Sequence, residues 1–472
     1  MIIVEYNSTD GDLGAIFNTQ NSSFFHRFDT SNAFMTLLTS NYFLLGSITI
    51  IILVATTVYN SIRPVYVPSS VPGPKRFPFF GILLHAVQHW DKWPEECHRL
   101  STSFSHRTWG GPAPQLGAFF FTNDVTNVRF ILQTNFDNYV KGDQWKALFQ
   151  ELLGNGIFTA DGALWRKHRK IISCMFSRNL LRHSAMVTTE KLKQVGEYLD
   201  RNLDKAHMVK ENGKLNGSMN DGSNEVPSDG FNLDLQECFY KMTIDSTSAI
   251  AFGIELHSLG SDRQHDFALA FDELGQLSMD RFLDPFFRLK RVLQLSKRER
   301  RIRHLARVLD EYAMGVVKSK RRAADEGHPL GPDLLSRFID HSNKHDGKDG
   351  DKKDDISDRE LRDAVMNIIL AGRDTTACAL SWTFYELTRH PQIVQKIIDE
   401  VKRVCGEGPD AELTYDSVSN LSYTHAAVLE ALRLHPPVAI DFRYAVKDDY
   451  LPDGTFVPAR AAVCLNPHSM GR

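Results

Sequence analysis

The sequence predicts a mainly α-helical protein with small β-sheets, and three observations support this fold class. Residues 358–390 have the pattern of one long helix, and most of the chain from Gly81 onward is also helical in pattern. Residues 117–124 are short, apolar and bounded by Gly and Asp, which predicts a strand pair. Residues 448–467 alternate apolar and polar side chains around a Pro-Asp-Gly turn, which predicts a β-hairpin.

The composition limits the kind of protein. The chain has 472 residues, of which 42% are hydrophobic and 24% charged, as in a globular protein of one to three domains. The formal net charge of −3 gives no electrostatic reason to expect a nucleic-acid partner. The six cysteines include no CxxC pair and no metal-ligand spacing, so we expect buried thiols in a reducing compartment.

The N-terminal region predicts a membrane anchor. No charged residue occurs between Asp29 and Arg63, and the apolar run at residues 42–59 has about the length of one transmembrane helix. A secretory signal peptide fits less well, because the run begins about forty residues into the chain and lacks a basic region before it. We therefore assign residues 42–62 to a transmembrane anchor.

The charges on either side of the anchor predict its orientation. Basic residues are more frequent after it than before it, and the positive-inside rule then places the bulk of the chain in the cytosol. Residues 1–41 would form a lumenal tail, in which Asn7 and Asn21 begin glycosylation sequons.

A proline-rich hinge, residues 63–80, separates the anchor from the predicted cytosolic domain, residues 81–472. Its prolines make it stiff and extended, so it would hold the domain at a set angle to the membrane; a plain linker is the alternative. Residues 211–230 and 345–355 have the composition of flexible surface insertions.

Residues 289–322 predict a strongly basic amphipathic helix or a pair of helices. The basic face could meet a membrane or an acidic partner. A face exposed to solvent is the simpler interpretation.

The long helix at residues 358–390 is the most informative element. Ser357 and Glu360 form a capping-box start, and Pro391 ends the helix. About 33 residues at about 1.5 Å each give a length near 50 Å. Its centre, AGRDTT at residues 371–376, combines small residues, an acid and alcohols. An acid beside a hydroxyl can relay protons, whereas a packing glycine with threonines bonded back to helix carbonyls is an equally good interpretation.

Two further patterns are weaker on their own. Trp165 and Arg169 are four residues apart on a basic helix, so they share a face suited to carboxylates or phosphates; such pairs are usually structural. Glu430 and Arg433 can pair on a helix that is otherwise apolar. We expect that pair to be buried and to belong to a larger set of polar contacts.

In this order, the patterns resemble the cytochrome P450 family, the haem-thiolate monooxygenases. The resemblance covers residues 64–472 and implies a cytochrome P450 fold. The sequence AGRDTTACALSW is similar to the branch that hydroxylates long-chain fatty acids and alkanes. The matching motifs are VPGP at residues 71–74, WxxxR at 165–169, AGxDTT at 371–376, and ExxR at 430–433 followed by HPP.

The resemblance implies residues that hold haem. Trp165 and Arg169 would bind one haem propionate, with help from His168. Arg443, on the strand after the HPP turn, would meet the other propionate.

The resemblance also implies catalytic residues on the long helix. Ala371 and Gly372 would leave room for the porphyrin and for dioxygen. Asp374 and Thr375 would deliver protons during oxygen activation. The Glu430–Arg433 pair would stabilise the core near the haem and take no part in the chemistry.

One motif of the family is not found in these residues. The loop FxxGxxxCxG, whose cysteine is the axial iron ligand, is not matched around any of the six cysteines. We therefore assign no metal ligand, and expect a P450 fold truncated before its haem-ligand region, by an incomplete sequence or by a real loss of catalysis. As written, the chain would bind haem poorly and be inactive.

The sequence as a whole predicts an endoplasmic reticulum membrane protein with one transmembrane helix and a cytosolic catalytic domain. By family it would be a haem monooxygenase that takes electrons from an NADPH-dependent P450 reductase and hydroxylates an apolar small molecule, a long-chain fatty acid or alkane. The main alternative is a catalytically dead, membrane-tethered binding protein without haem. A non-redox isomerase of the same fold is a third possibility, against which the intact Asp374–Thr375 pair argues.

Overall fold

The structure is a computed structural model of the chain. It describes residues 2–6, 15–19, 67–78, 80–113, 117–173, 176–215, 231–261, 265–284, 286–344, 356–407 and 413–472. The predicted anchor at 42–62, most of the predicted lumenal tail and the insertion at 345–355 lie outside these residues. Most of the insertion at 211–230 does so as well.

Helices dominate the described residues, with smaller β-sheets, which confirms the predicted fold class. The helices are α1 (Leu83–Gln88), α2 (Trp93–Ser103), α3 (Val125–Arg129), α4 (Gly142–Leu153), α5 (Gly162–Ser173), α6 (Arg178–Leu215), α7 (Leu235–Phe252), α8 (Asp266–Asp280), α9 (Phe287–Leu293), α10 (Lys297–Asp325), α11 (Leu334–Lys344), α12 (Asp358–Arg389), α13 (Pro391–Cys405), α14 (Tyr415–Val418), α15 (Ser422–Leu434) and α16 (Pro467–Met470). The strands are β1 (Ile2–Tyr6), β2 (Ala15–Thr19), β3 (Trp109–Ala113), β4 (Gly117–Thr122), β5 (Tyr139–Val140), β6 (Phe231–Asp234), β7 (Asp441–Ala445), β8 (Asp449–Tyr450), β9 (Phe456–Val457) and β10 (Ala462–Leu465).

The chain divides into two compact units. The first contains residues 1–21, 167–273 and 305–437, and the second contains residues 22–166, 274–304 and 438–472. The first unit thus holds α6, α7, α11 to α15 and β1, β2 and β6; the second holds α1 to α4, α9, α16 and the remaining strands.

The second unit is built on a five-stranded sheet in the order β3-β4-β10-β7-β5. Strand β10 runs parallel to β4 and antiparallel to β7, with Val463 opposite Phe120. Because side chains alternate along a strand, Phe120 and Val463 are buried on one face of the sheet while Phe119 and Cys464 are buried on the other. Burial on both faces explains why these strands are nearly continuous apolar runs.

The predicted C-terminal hairpin is present but shorter than expected. Strands β8 and β9 pair antiparallel around the predicted turn at residues 452–454. The remaining part of the predicted hairpin, β10, pairs with β4 and β7 of the larger sheet. The strand pair predicted at 117–124 is confirmed as β4 and its antiparallel partner β3.

The described part of the proline-rich hinge packs on the second unit. Val71 is buried, the Gly110 amide donates to the Pro72 carbonyl at 2.8 Å, and Arg76 donates to the Val71 carbonyl at 2.9 Å. A Cβ added to Gly73 would lie 2.1 Å from the Gly110 carbonyl oxygen, so this close approach requires glycine. Residues 67–78 are therefore a docked segment.

The first unit is organised around α12 packed on α7. Helix α12 runs for 32 residues, and Ser357 and Glu360 form the predicted capping box. Helix α13 begins at Pro391 and stops before Gly406, whose φ of 88° is a conformation that favours glycine. The long helix and its two ends are thus as the sequence predicts.

The basic stretch at 289–322 forms two helices, α9 and α10. Several of its cations pair within the chain: Arg291 with Glu151, Lys290 with Asp284, and Lys320 with Asp333. These three cations therefore have acidic partners within the chain, and the interpretation of the basic face as exposed to solvent stays a prediction.

Strands β1 and β2 lie in the segment assigned to the lumenal tail, and β1 pairs antiparallel with both β2 and β6. Within the described part of the chain, none of the helices is both long and apolar enough to span a membrane. The anchor at 42–62 is not among those residues, so it remains a prediction. The pairing of β1 with β6 requires residues 2–6 to lie on the same side of the membrane as the predicted cytosolic domain, and it therefore argues against the lumenal assignment of the tail.

Candidate active site

The centre of α12 carries the first group of predicted site residues. Gly372 faces α7, because a Cβ added there would lie 3.1 Å from the Thr247 hydroxyl oxygen and 3.2 Å from its methyl carbon. Gly372 therefore allows the two helices to approach closely. Ala371, one residue earlier, is exposed in the middle of this otherwise well-packed helix.

Arg373 links α12 to α8. Its guanidinium is buried, donates to both carboxylate oxygens of Asp272, and donates to Asp374 at 2.8 Å. The same guanidinium lies over the Tyr240 ring, 4.9 Å from its centroid, where a cation is favoured by the aromatic face. Two carboxylates and one ring thus fix this arginine beside the predicted catalytic acid.

Asp374 is poised to gain or lose a proton near neutrality. Its side chain keeps 33% of its surface exposed, yet the surrounding protein removes enough water to raise the pKa of the carboxyl to about 6. The positive charge of Arg373 acts in the opposite direction and the negative charge of Asp272 in the same direction, both more weakly. A carboxyl with such a pKa can donate a proton at physiological pH.

Thr375 forms the back-bonded arrangement that the sequence left as an alternative. Its hydroxyl donates to the Ala371 carbonyl at 2.6 Å, as threonines inside helices often do. The hydroxyl and the Asp374 carboxylate are adjacent in sequence, but each has its own hydrogen-bond partner.

A second group of charged residues surrounds Trp165 in the second unit. The Lys141 ammonium lies 5.5 Å from the centroid of the Trp165 indole and donates to the Ala160 carbonyl at 3.1 Å. Asp161 accepts from the backbone amides of Lys141 and Gly142, at 2.8 and 2.9 Å. Gly142 has φ of 78°, which glycine adopts readily, so this turn positions Lys141.

Arg443 on β7 adds a second cation to this group. It donates to Asp441 and to the Phe442 carbonyl, both at 2.7 Å. Burial, followed by repulsion from Arg443, lowers the pKa of Lys141 to about 8, and Asp161 and Asp441 offset this only in part. Lys141, Trp165 and Arg443, which we call the cation cluster, therefore form an environment that an additional anion would stabilise.

The other two predicted propionate ligands lie in the first unit. Arg169 is exposed on α5. His168 is buried, and neither of its ring nitrogens has a hydrogen-bond partner among the described residues. Burial lowers the pKa of His168, so it is largely neutral at pH 7. The residues around it are Lys167, Ile172, Phe338, Ile356, Glu360, Leu361 and Ala364. A neutral imidazole still carries one N–H donor, so the contact of His168 with a propionate stays a prediction.

The expectation that Glu430 and Arg433 are buried is wrong. The two side chains pair at 2.6 Å, but they are 58% and 47% exposed. The buried residue of α15 is Ala431, and successive positions on a helix lie about 100° apart. The apolar neighbours in sequence therefore do not bury this pair, because they occupy other sides of the helix.

Burial raises the thiol pKa of four of the five described cysteines. Cys97 and Cys464 are buried against the large sheet, and burial raises both thiol pKa values well above the usual range. Burial raises the pKa of Cys238 and of Cys378 to about 11. Cys405 is the last residue of α13. Iron binds the thiolate form of cysteine, and burial disfavours that form at these four positions.

Two residues of these sites were not predicted from the sequence. Lys141 belongs to no recognisable motif, and Asp272 is one of several acids on amphipathic α8. Their proximity to Trp165 and to Arg373 is a product of tertiary packing.

The described residues thus combine a mainly helical fold, a long helix that carries Asp374, and a cluster of cations suited to an anion. A sequence model of the Cytochrome P450 family matches residues 71–472. The chain therefore belongs to the cytochrome P450 family of haem-containing monooxygenases.

Individual relatives agree with this assignment. Cytochrome P450 704B1 of Arabidopsis thaliana is 30% identical over 440 residues, which cover 85% of this chain and 77% of that protein. Cytochrome P450 94C1 of the same plant is 32% identical over 391 residues, which cover 80% and 71%. The crystal structure of the cytochrome P450DA heme domain superposes with a TM-score of 0.68 at 20% identity, over 86% of this chain and 79% of that one, and it supports the fold.

The described residues include groups suited to the carboxylates of a haem, but we assign none of them to its iron. The cation cluster suits the carboxylates of a haem, because its two cations are only partly compensated. At four of the described cysteines burial disfavours the thiolate that iron would need. We therefore assign residues to the haem carboxylates and none to the metal.

Proposed function

We propose that this P450 monooxygenase hydroxylates a long-chain fatty acid or alkane, with dioxygen and with electrons supplied through an NADPH-dependent reductase. The sequence AGRDTTACALSW, which resembles the branch acting on such substrates, supports the substrate class. Haem, when bound, would supply the redox chemistry. The chain's own residues would hold the haem and provide protons.

The observation that carries this proposal is the environment of Asp374. Its pKa of about 6 lets it alternate between acid and carboxylate near neutral pH, which a proton donor that is reloaded in each cycle must do. Arg373 holds the carboxylate by a 2.8 Å hydrogen bond and is itself fixed by Asp272. These contacts would hold the Asp374 carboxylate in place, and its surroundings raise its pKa.

Thr375 would act beside Asp374. In its back-bonded position the hydroxyl uses its proton on the Ala371 carbonyl, so its oxygen keeps acceptor capacity. The exposed position of Ala371, one turn earlier on the same face, leaves space next to it. A hydroxyl at this point would order a proton-carrying water on the way from Asp374.

Lys141 and Arg443 would neutralise the haem carboxylates, with the Trp165 indole as a neighbour. An incoming carboxylate would relieve the repulsion between the two cations. Arg169 and His168 are proposed as further donors to a propionate.

The proposed location is the endoplasmic reticulum membrane, with residues 42–62 as a single anchor and the catalytic domain in the cytosol. The apolar run at 42–59 supports it. Translation in the presence of microsomes tests it: a lumenal tail would be glycosylated at Asn7 or Asn21, and variants Asn7→Gln and Asn21→Gln would abolish the mass shift. An unglycosylated tail that stays sensitive to added protease would contradict the lumenal assignment.

The function is tested with purified, haem-loaded protein that carries the family's axial-cysteine loop, together with a reductase and NADPH. Fatty acids and alkanes of increasing chain length should give hydroxylated products, and Thr375→Ala should consume NADPH while releasing more peroxide and less product. Thr388→Ala, near the C-terminal end of α12, is the matched control and should behave like the wild type.

Failure of this loop-containing protein to take up haem would favour the alternative of a membrane-tethered binding protein. Haem uptake with equal coupling in the Thr375→Ala variant would instead remove the proton-delivery role of Thr375.

A further inference from the structure

Two histidines and a glutamate converge near the start of the second unit, apart from the residues assigned to haem. His85 lies on α1, His89 directly follows that helix, and Glu96 lies on α2. One ligand atom from each lies within 4.8 Å of the other two. Histidine pairs four residues apart share one side of a helix, so α1 brings both imidazoles to the carboxylate.

The hydrogen bond of His89 leaves one of its ring nitrogens available. His89 Nδ1 lies 3.0 Å from the His85 carbonyl oxygen. Because a carbonyl only accepts, Nδ1 must carry the proton, and the lone pair is then on Nε2. A backbone carbonyl that fixes the tautomer in this way is the usual outer partner of a metal-bound histidine.

His85 and Glu96 already point at one another. His85 Nε2 donates to a Glu96 carboxylate oxygen at 2.7 Å, so a metal bound between them would displace this proton. The Trp93 ring packs against His85 with centroids 6.4 Å apart. The Glu96 side chain is 7% exposed and that of His85 is 16% exposed. The site is therefore mostly enclosed by protein, while His89, which is half-buried, gives access from solvent.

We propose that His85, His89 and Glu96 bind a divalent transition-metal ion of the zinc type. Two imidazoles and one carboxylate are a typical ligand set for Zn²⁺, which takes nitrogen at about 2.0–2.1 Å and leaves a fourth position for water. In tetrahedral geometry such ligand atoms are roughly 3.3–3.5 Å apart. Side-chain movements of up to about 1.5 Å would bring the three ligand atoms to that spacing. Hard ions such as Mg²⁺ prefer all-oxygen sets.

Arg99 competes for the carboxylate. It donates to both Glu96 oxygens, at 2.7 and 2.6 Å. Its side chain is 61% exposed, and exposed ion pairs are weak, so the arginine can move into solvent when a metal binds. On this basis, removing the arginine should strengthen metal binding, whereas a purely structural His85–Glu96–Arg99 contact predicts no such gain.

The full chain, freed of metal with a chelator, is titrated with Zn²⁺ by calorimetry, in the haem-free and haem-loaded forms. We expect one site in both forms. His89→Ala should weaken it at least tenfold, Arg99→Gln should strengthen it severalfold, and the control His425→Ala, an exposed histidine on α15, should leave it unchanged. Mg²⁺ should give no heat at the same concentrations.

The metal should also join α1 to α2, so Zn²⁺ should raise the melting temperature of the wild type and not that of His89→Ala. Circular dichroism before titration checks that each variant is folded. An affinity for Zn²⁺ that is equal in the wild type, His89→Ala and His425→Ala would overturn the proposal, as would the absence of binding. Neither outcome depends on haem or on turnover.

Discussion

Arg373 on α12 donates hydrogen bonds to both carboxylate oxygens of Asp272 on α8. The pairing is unequal, because Arg373 is buried whereas the Asp272 side chain is 43% exposed. Loss of this contact would leave the buried Arg373 charge without compensation, which is costly. Asp272 would remain in contact with water. This contact anchors the segment that carries the candidate catalytic acid.

Asp272→Asn should lower the free energy of unfolding by about 1–2 kcal/mol, less than for a fully buried pair because Asp272 is partly hydrated. Urea denaturation measures the change. Asp416→Asn, which removes an exposed partner of Arg182, is the control and should have almost no effect. Equal behaviour of the two variants would show that Asp272 does not anchor Arg373.

Asp374 should make stability depend on pH in a defined direction. Its pKa in the folded protein is about 6, above the value of about 3.9 for an unfolded aspartate, so the folded state binds more protons in this range. The stabilising contribution is therefore fully present below about pH 4 and is lost as the pH rises through 6. Solvent screening of this partly exposed group limits it to about 1 kcal/mol.

The measurement is the difference in unfolding free energy between the wild type and Asp374→Asn from pH 4 to 7.5. It should change in favour of the asparagine variant as the pH rises. A difference that stays constant with pH would mean that Asp374 titrates like an ordinary surface acid and would weaken its role as a proton donor.

Lys141 should contribute to haem affinity through its charge. Lys141→Met should weaken haem binding about tenfold, as expected for one charge-assisted contact, in a spectroscopic titration of the haem-free protein. Lys447→Met removes an exposed lysine of the same unit and should change nothing. Because the pKa of Lys141 is about 8, affinity should fall as the pH rises above 8 in the wild type and much less in Lys141→Arg. Equal affinity in all variants would contradict the assignment.

Gly372→Ala should destabilise the protein although alanine is the better helix former. The new methyl group would lie 3.1 Å from the Thr247 hydroxyl oxygen and push α12 away from α7, and overpacking of this kind costs about 1–3 kcal/mol. Gly196→Ala on α6, where no atom lies within 4 Å of the new Cβ, should instead stabilise by up to about 1 kcal/mol. Thr247→Ala in the Gly372→Ala background should restore stability if the clash is the cause.

The exposed Glu430–Arg433 pair should matter little for the stability of this chain. Glu430→Gln should leave the unfolding midpoint unchanged, because the pair is largely in water. Arg281→Met is the contrasting variant, since Arg281 is fully buried between Glu151 and Glu299 and should lower stability by about 3–5 kcal/mol. A large effect of Glu430→Gln would show that the pair is buried in solution.

The sequence by itself determined the features that depend on local order. The capping box at Ser357 and Glu360, the stop at Gly406 and the strand at 117–122 are set by neighbouring residues. The order of the motifs was sufficient for the family. Local pattern also gave two interpretations of AGRDTT, and it could not choose between them.

Tertiary structure decided which side of each helix is covered and which distant groups meet. It placed Thr247 against Gly372 and Asp272 beside Arg373, left Glu430 and Arg433 in solvent, and brought Lys141 close to Trp165 and Arg443. The physical reason is that burial and charge depend on residues far apart in the chain. The period of a helical sequence defines which residues share a face. The packing partner decides which face loses water, and therefore which carboxyl has a raised pKa.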